Sequence, residues 1–460
     1  MGLNYQKVNF SDLEMHRDMR FGLSITSFKD VIGTFKSNDK YSLVRLSKVL
    51  SLEYGDGLVE QDRNENGEYP VMGSNGIVGY HDEYLIEGPS IIVGRKGSAG
   101  EITYVEENNF PIDTTFYVKV KDDTYRLKFL YHLVRVAKLS RLALHKGVPG
   151  LNRYDAYEVL IPVVPKDVQG KLLSEIEPLE KELFTLQAKL KSPLEVINVV
   201  FAKEFNYSAT LWREFGKGMT AGTQKSNVKT LSTFPTPLSQ INRSKIFRFS
   251  SRYHNPFTQQ LRDILKNMPH QKVSTVIKSI KKGVQPKYDP DAGVRVIKIA
   301  NMKNGYLDFA EPEFTTEEFY EKNKEQAGVE LNDILICCTG KVSLGKIDIY
   351  EDEEPAILSV DSYIIQVDEQ KVDRLFFTYF FRSILGSFQI ERDFTGTTNQ
   401  IHLYDTQILE FELPDLKLSE QKRIVNNIKK DLDAQKEIEK QIDKKQWEIS
   451  QIIESSIKSR

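Results

Sequence analysis

Few residues in this 460-residue chain are of types and spacings that could do chemistry. The two cysteines, Cys337 and Cys338, are adjacent. That suits neither a disulfide between them nor, as two thiols alone, a zinc site. No cluster of His with Asp or Glu has metal-site spacing, and no Gly-rich loop of the strand-to-helix kind offers a cofactor a seat. What does recur is a basic, Gly-containing turn behind an apolar run. Ser90-Ile91-Ile92-Val93-Gly94 leads into Arg95-Lys96-Gly97-Ser98-Ala99-Gly100. Asp333-Ile334-Leu335-Ile336-Cys337 leads into Thr339-Gly340-Lys341-Val342-Ser343-Leu344-Gly345-Lys346. Bare backbone beside cationic side chains can approach an anion closely, so the chemistry on offer is binding.

The elements that must position these turns are themselves repeated. Leu46 to Gly55 resembles Val273 to Gly283, and Met19-Arg20-Phe21 resembles Phe247-Arg248-Phe249, offsets of about 227 in the numbering. Tyr154-Asp155 matches Tyr404-Asp405, an offset of 250, so the second copy carries some twenty extra residues, placed mainly in Asn301 to Gly328. Short β-type runs are expected at Ile91 to Val93, Ile102 to Val105 and Phe116 to Val120. Their counterparts are Val294 to Ile299, Ile334 to Ile336, Lys346 to Tyr350 and Tyr363 to Val367. Helical patches follow at Leu127 to Leu144 and Leu375 to Phe388, then last strands at Val159 to Val164 and Ile408 to Leu413. Aromatic Phe376, Phe377, Tyr379, Phe380 and Phe381 have helical spacing that suits a core.

Each copy ends in a long amphipathic stretch. Leu172, Ile176, Leu179, Leu183, Leu186 and Leu190 fall at steps of four and three, on one helix stripe. Glu175, Glu180, Lys181, Glu182, Lys189 and Lys191 between them read as a solvated face. Ile424, Ile428, Ile438, Ile442, Ile449 and Ile452 form the second ladder. Pro178 and Pro193 lie within the first helix and predict a bent or segmented element; the second, with Ser419 as its N-cap, predicts a straighter one. The fold class expected is α+β, two irregular globular domains each followed by a long α-helix, and two matched stripes in one chain favour pairing of these helices with each other. A homodimeric coiled coil is the other use of such stripes. The divisions are 1–165, 166–206 (first long helix), 207–245 (a Ser-, Thr-, Lys- and Gly-rich connector), 246–415, and 416–460 (second long helix).

The totals narrow the class. With 40% hydrophobic and 28% charged residues the chain reads as folded. No apolar run approaches the roughly 20 residues that cross a bilayer, and Met1 to Arg20 lacks the apolar core of a signal peptide. A cytoplasmic, reducing setting is expected. The net charge of -2 argues against nucleic-acid binding by bulk charge, while leaving room for local basic faces.

One stretch is specific in wording. Tyr69-Pro70-Val71-Met72-Gly73-Ser74-Asn75-Gly76-Ile77-Val78-Gly79-Tyr80, followed by Gly88 to Ser98, resembles the target-recognition domain of type I restriction-modification specificity subunits. Phe110 to Tyr117, Gly147 to Asn152 and the early Gln169 and Gln421 of the long helices fit the same pattern, as does Gly396 to His402 in the second copy. The resemblance implies two target-recognition domains that read the halves of a split site on double-stranded DNA. It implies the two helices paired as an antiparallel coiled coil that acts as a spacer, docked DNA methyltransferase subunits, restriction subunits that can join, no cofactor, and no catalysis by this chain. A helix of about 40 residues spans about 60 Å, enough to separate two readers.

Under that resemblance, base reading falls to hydrogen-bonding side chains on Gly-containing turns. The candidates are Ser74, Asn75, Arg95, Lys96, Ser98, Lys146, Asn152 and Arg153 in the first copy. In the second they are Lys341, Ser343, Lys346, Thr397, Thr398, Asn399, Gln400 and His402. Asn75-Gly76 is equally a hairpin-turn signal, and His402 reads first as a structural histidine and only second as a DNA contact.

Two other readings stay open. A nuclease or methyltransferase with fused recognition domains would use His254-Asn255-Pro256-Phe257, which is similar to the Asn-Pro-Pro-Phe of adenine methyltransferases but lacks its second Pro. It would alternatively use Pro414-Asp415 with Glu420-Gln421-Lys422, where the acids sit where a helix cap is expected. A coiled-coil adaptor binding only protein is the third.

Overall fold

The computed structural model describes residues 35, 40–64, 66–143, 150–212, 235–237, 251–397 and 400–458. Residues 1–34, most of the connector 207–245, both Met19-Arg20-Phe21 and Phe247-Arg248-Phe249, and Lys146, Thr398 and Asn399 lie outside them. The fold is mixed α and β, with two sheet-bearing units. One draws on the stretches Met1–Thr185 and Ile442–Arg460, the other on Leu186–Gln441.

The first unit is built on a four-stranded antiparallel sheet in the order Leu50–Tyr54, Thr115–Val120, Ser90–Gly94, Ile102–Val105. Ser90–Gly94 is apolar on both faces and buried throughout, as a central strand must be. A smaller sheet orders Gly76–His81, Tyr69–Gly73 and Phe110–Pro111, the last pair parallel. The ribbon Leu43–Arg45 with Leu160–Pro162 closes the unit. Helix Leu127–Ala137 buries Phe129, Leu130, Leu133 and Val134 against Ile91, Val93 and Phe116 in one core.

The second unit repeats this plan, with a fourth strand, Gly328–Val329, added to its smaller sheet. Its antiparallel sheet runs Ile277–Lys282, Ser362–Val367, Ile334–Cys337, Ile347–Ile349. The second sheet pairs Val294–Ile297 antiparallel with Glu313–Thr315 and parallel with Ala356–Leu358. His270–Lys272 with Glu412–Pro414 is the ribbon. The extra residues split in two: a long loop between Ile297 and Glu313, and helix Glu317–Ala327 capped by Thr316. Gly55 and Gly283 hold equivalent places. A Cβ on Gly55 would meet the Ile112 carbonyl oxygen at 2.2 Å, and one on Gly283 the Ser359 carbonyl oxygen at 2.1 Å.

Several sequence expectations shift. Ile408 to Leu413 is not a strand: Asp405–Glu410 is a helix, started by the Gln407 side chain accepting the Tyr404 N–H at 2.8 Å, and the strand is Glu412–Pro414. The patch Leu375 to Phe388 is two helices, Arg374–Arg382 and Ile384–Asp393, with Phe376, Phe377, Tyr379, Phe380 and Phe381 all buried. Ser419 lies inside the helix Leu418–Ile457, whose entry is closed by Glu420 accepting the Lys417 N–H.

The first long helix is Lys166–Lys189, which accommodates Pro178, followed by a second helix Pro193–Glu204. Pro193 stands at its first turn, where a missing N–H costs nothing, and Ser192 caps it. Leu190 therefore falls outside any helix and is exposed, and Leu186 is only half-buried. The freed Lys191 N–H is taken up by Gln435 Oε1 at 2.7 Å. In the second unit Lys191 thus neighbours Gln435 while Glu204 pairs with Arg423, so these stretches run antiparallel. There Ile197, Val200 and Phe201 share a core with Ile424, Val425 and Ile428. In the first unit Leu172 and Ile176 share one with Ile449, Ile453 and Ile457, Leu179, Leu183 and Ile452 pack at its margin, and Glu182 pairs with Lys445 at 2.8 Å. Ile453, not Ile452, is the fully buried member; Ile442 is buried and Ile438 half-buried. Glu180 is no solvated residue: it meets Lys128 at 3.0 Å and the buried His132 at 3.2 Å.

Candidate nucleic-acid interface

In the first unit the turn Arg95 to Gly100 is held like a short strand between two others. The N–H groups of Arg95 and Lys96 both donate to the Thr114 carbonyl, at 2.9 and 3.1 Å, and Leu151 N–H donates to the Arg95 carbonyl at 2.9 Å. Lys96 bridges Gly150. Gly97 and Gly100 have φ of +77° and +84°, which lets the chain reverse where a side chain would strain it. Ser74, in the two-residue turn between Tyr69–Gly73 and Gly76–His81, donates its Oγ hydrogen to the same Thr114 carbonyl at 2.5 Å. Thr114 thus gathers Ser74, Arg95 and Lys96, and the 150–153 segment lies alongside.

The charged groups meet on an aromatic ring. The Arg95 and Arg153 guanidinium carbons each lie 5.1 Å from the centroid of Tyr54, which is half exposed. Arg153 also lies 5.3 Å from the exposed Tyr154 ring. Among the described residues Arg95, Lys96 and Arg153 have no carboxylate partner. Asn152 spends its side chain capping the helix Arg153–Tyr157, accepting the Tyr154 N–H at 2.9 Å. Asn75 and Lys96 are exposed; Ser98 is half-buried. Tyr54 is not a polar reader, and its one signal in the sequence is its place before Gly55, on the strand beside the turn.

In the second unit the same backbone frame carries other side chains. Cys338 N–H donates to the Asp361 carbonyl and Leu403 N–H to the Cys338 carbonyl, both at 2.9 Å; Thr339 bridges His402. Gly340 and Gly345 repeat the left-handed φ values, at +84° and +78°. By this register Cys338 stands at the place of Arg95, Thr339 at that of Lys96, and Lys282 at that of Tyr54. Tyr404 aligns with Asn152 and Asp405 with Arg153, correcting the sequence match of Tyr404 to Tyr154. Cys338 is buried, its thiol pushed up to about 11 by burial. Thr339 Oγ1 donates to Asp361 at 2.9 Å, and Lys282 lies 6.0 Å from the Tyr363 ring. Lys341 is exposed, Ser343 and Lys346 are half-buried, and Thr397 and Gln400 belong to the ribbon Thr395–Thr397 with Gln400–His402. His402 is exposed, its ring 6.4 Å from that of Tyr404, so it is not a core histidine.

The residues that suggested catalysis are structural. Asn255 caps the helix Pro256–Lys266, accepting the Phe257 N–H at 2.9 Å. Asp415 accepts from Gln271 at 3.1 Å, and Glu420 closes a helix entry. Among the described residues no group of three or more His, Cys, Asp or Glu is placed to hold a metal ion, and no helix is long and apolar enough to cross a membrane.

A family model described as the type I restriction modification DNA specificity domain matches residues 38–196 and 260–445, more than half of the chain. A comparison with curated proteins gives no match. Among solved structures, the chain is similar to a type I restriction-modification S subunit from M. genitalium, at 15% identity over 92% of this chain and 96% of that one, with a TM-score of 0.38. It is similar to the HsdS subunit from Thermoanaerobacter tengcongensis at 13% identity over 92% and 97%, with a TM-score of 0.32. A chain from a study of complex assembly and conformational transition of the type I R-M system is similar at 12% identity over 90% and 96%, with a TM-score of 0.38. The two matched stretches make the chain a member of the type I restriction-modification DNA specificity family, a DNA-recognition protein and not an enzyme.

Proposed function

We propose that this chain reads a bipartite target on double-stranded DNA, one half-site per unit, and docks methyltransferase subunits, with restriction subunits able to join. The observation that carries this reading is the shared frame: each unit presents a glycine turn, Arg95 to Gly100 or Thr339 to Lys346, beside a second segment, 150–153 or 402–404. One frame with different side chains is what two readers of two different half-sites require. The helical stretches 166–206 and 416–460 serve as a coiled-coil spacer and offer the docking surface, in a cytoplasmic complex.

Methylome sequencing of cells with and without the chain tests this. A methylated motif of two halves, lost with the chain, is expected. Methylation or cleavage of DNA by the purified chain alone overturns the division of labour. Inserting one heptad into the spacer helices changes the permitted gap between half-sites; an unchanged gap removes the spacer role.

A further inference from the structure

We propose that Arg95 reads a guanine in the half-site of the first unit, and that Arg153 and Tyr54 position it. This rests on the half-site reading above and adds a base to it.

Two guanidinium groups share one ring, each with its carbon 5.1 Å from the Tyr54 centroid, although they come from separate segments. Like charges gathered this closely repel unless something between them compensates, and the face of an aromatic ring does so. No carboxylate does it: among the described residues neither arginine has an ion pair, and Arg95 donates no side-chain hydrogen bond. Arg153 makes only long contacts, 3.4 Å to the Leu52 carbonyl and 3.4 Å to the Tyr154 hydroxyl. The Nε atoms of both are buried without a hydrogen-bond partner; the outer nitrogens of Arg153 rest on those two long contacts, while those of Arg95 are open. The planar fork of Arg95, held at a ring and with open donors, matches the O6 and N7 acceptors of guanine in the major groove. The neighbouring Lys96 is different: exposed, flexible and unstacked, it suits a phosphate.

The second unit shows that the frame does not require this cluster. Its corresponding residues are Cys338, Asp405 and Lys282, which provide no stacked guanidinium pair. Guanine reading by this device therefore belongs to one half-site only.

The test uses the full-length chain with its copurifying methyltransferase subunit and a duplex selected from a random pool. Each guanine is replaced in turn by 7-deazaguanine, which pairs normally but lacks N7. One replacement in one half-site is expected to lower affinity about tenfold or more. Arg95→Ala or Arg153→Ala should abolish that sensitivity. Tyr54→Phe should keep it, and Tyr54→Leu should lose it while the salt dependence of binding stays unchanged, an outcome that general unfolding does not produce. If a site is selected but no guanine N7 matters, or if the arginine variants weaken every duplex equally and each lowers the salt slope by about one, the arginines hold phosphates and the proposal falls, with half-site reading intact. If no sequence is selected at all, half-site reading falls first.

Discussion

Gln169 and Gln421 make the same three hydrogen bonds, one set in each unit. Gln169 Nε2 donates to the carbonyls of Thr124 and Val164 at 2.9 and 2.7 Å, and its Oε1 accepts the Arg126 N–H at 2.8 Å. Gln421 Nε2 donates to Lys371 and Leu416 at 3.1 and 2.8 Å, and its Oε1 accepts the Asp373 N–H at 2.8 Å. Both are fully buried. Each ties the start of a long helix to the loop that begins the helical patch of its unit.

Replacing either by Leu takes this partner from three backbone groups that are partly or wholly buried. Gln169→Leu or Gln421→Leu is expected to destabilise its unit by about 2–4 kcal/mol. Calorimetry of the single variants checks this; an unmoved transition refutes the clamp.

Glycines of the two kinds should respond differently to alanine. Gly283→Ala drives a methyl into the Ser359 carbonyl at 2.1 Å, so backbone must move. Gly97 meets nothing within 4 Å, and its replacement pays only the left-handed conformation, φ +77°. A cost of about 1 kcal/mol is expected at Gly97 and a larger one at Gly283. Equal urea midpoints for the two variants contradict this.

Asp348 is wholly buried and accepts from Arg382 at 2.9 Å and from the N–H groups of Asn304 and Gly305 at 3.0 and 2.5 Å. Asp348→Ala strands the Arg382 charge, and a loss of about 3–5 kcal/mol is expected. The double variant with Arg382→Met should recover much of it. A double mutant as unstable as the sum of the singles argues against the pairing.

Acid should loosen the first unit in two steps. Burial pushes the His132 imidazole down from 6.5, outweighing the pull of Glu180. Burial opposes ionisation of Glu180, but hydrogen bonds from His132 and Lys128 outweigh it and hold the carboxyl below 4.5. Both groups are depressed on folding, so each contributes stability that is present above its unfolded value and lost as pH falls through its folded value. Urea midpoints should decline below pH 6.5 and again below 4.5; Glu180→Gln should remove the lower branch. A midpoint flat from pH 7 to 3 counts against both.

The candidate interface was legible in part. Glycines after an apolar run marked the turns, and Arg95, Lys96 and Ser74 do meet there, through the Thr114 carbonyl. Tyr54 and Thr114 were not legible, because one acts through an exposed ring and the other through its backbone. The match of Tyr404 to Tyr154 failed because identity of letters is a weaker guide than ladder register: Leu403 and Leu151, bonded alike, fix the correct offset.

The sequence by itself determined the repeat, most of the strand runs and the two amphipathic stripes, since these follow from alternation, apolar spacing and the positions of Gly and Pro over a few neighbouring residues. It also predicted a bent or segmented first helix from Pro178 and Pro193, and of the two only Pro193 stands at a break. Tertiary structure decided what those elements do. Only packing turned Glu180 from a surface residue into the partner of a buried histidine, and left Leu190 exposed although it kept the stripe's spacing. Only the pairing of distant strands brought Arg95 and Arg153 onto one ring while giving the second unit a buried cysteine and an aspartate in their places. Spacing along a chain fixes which face a side chain occupies; what meets that face is set by residues a hundred positions away.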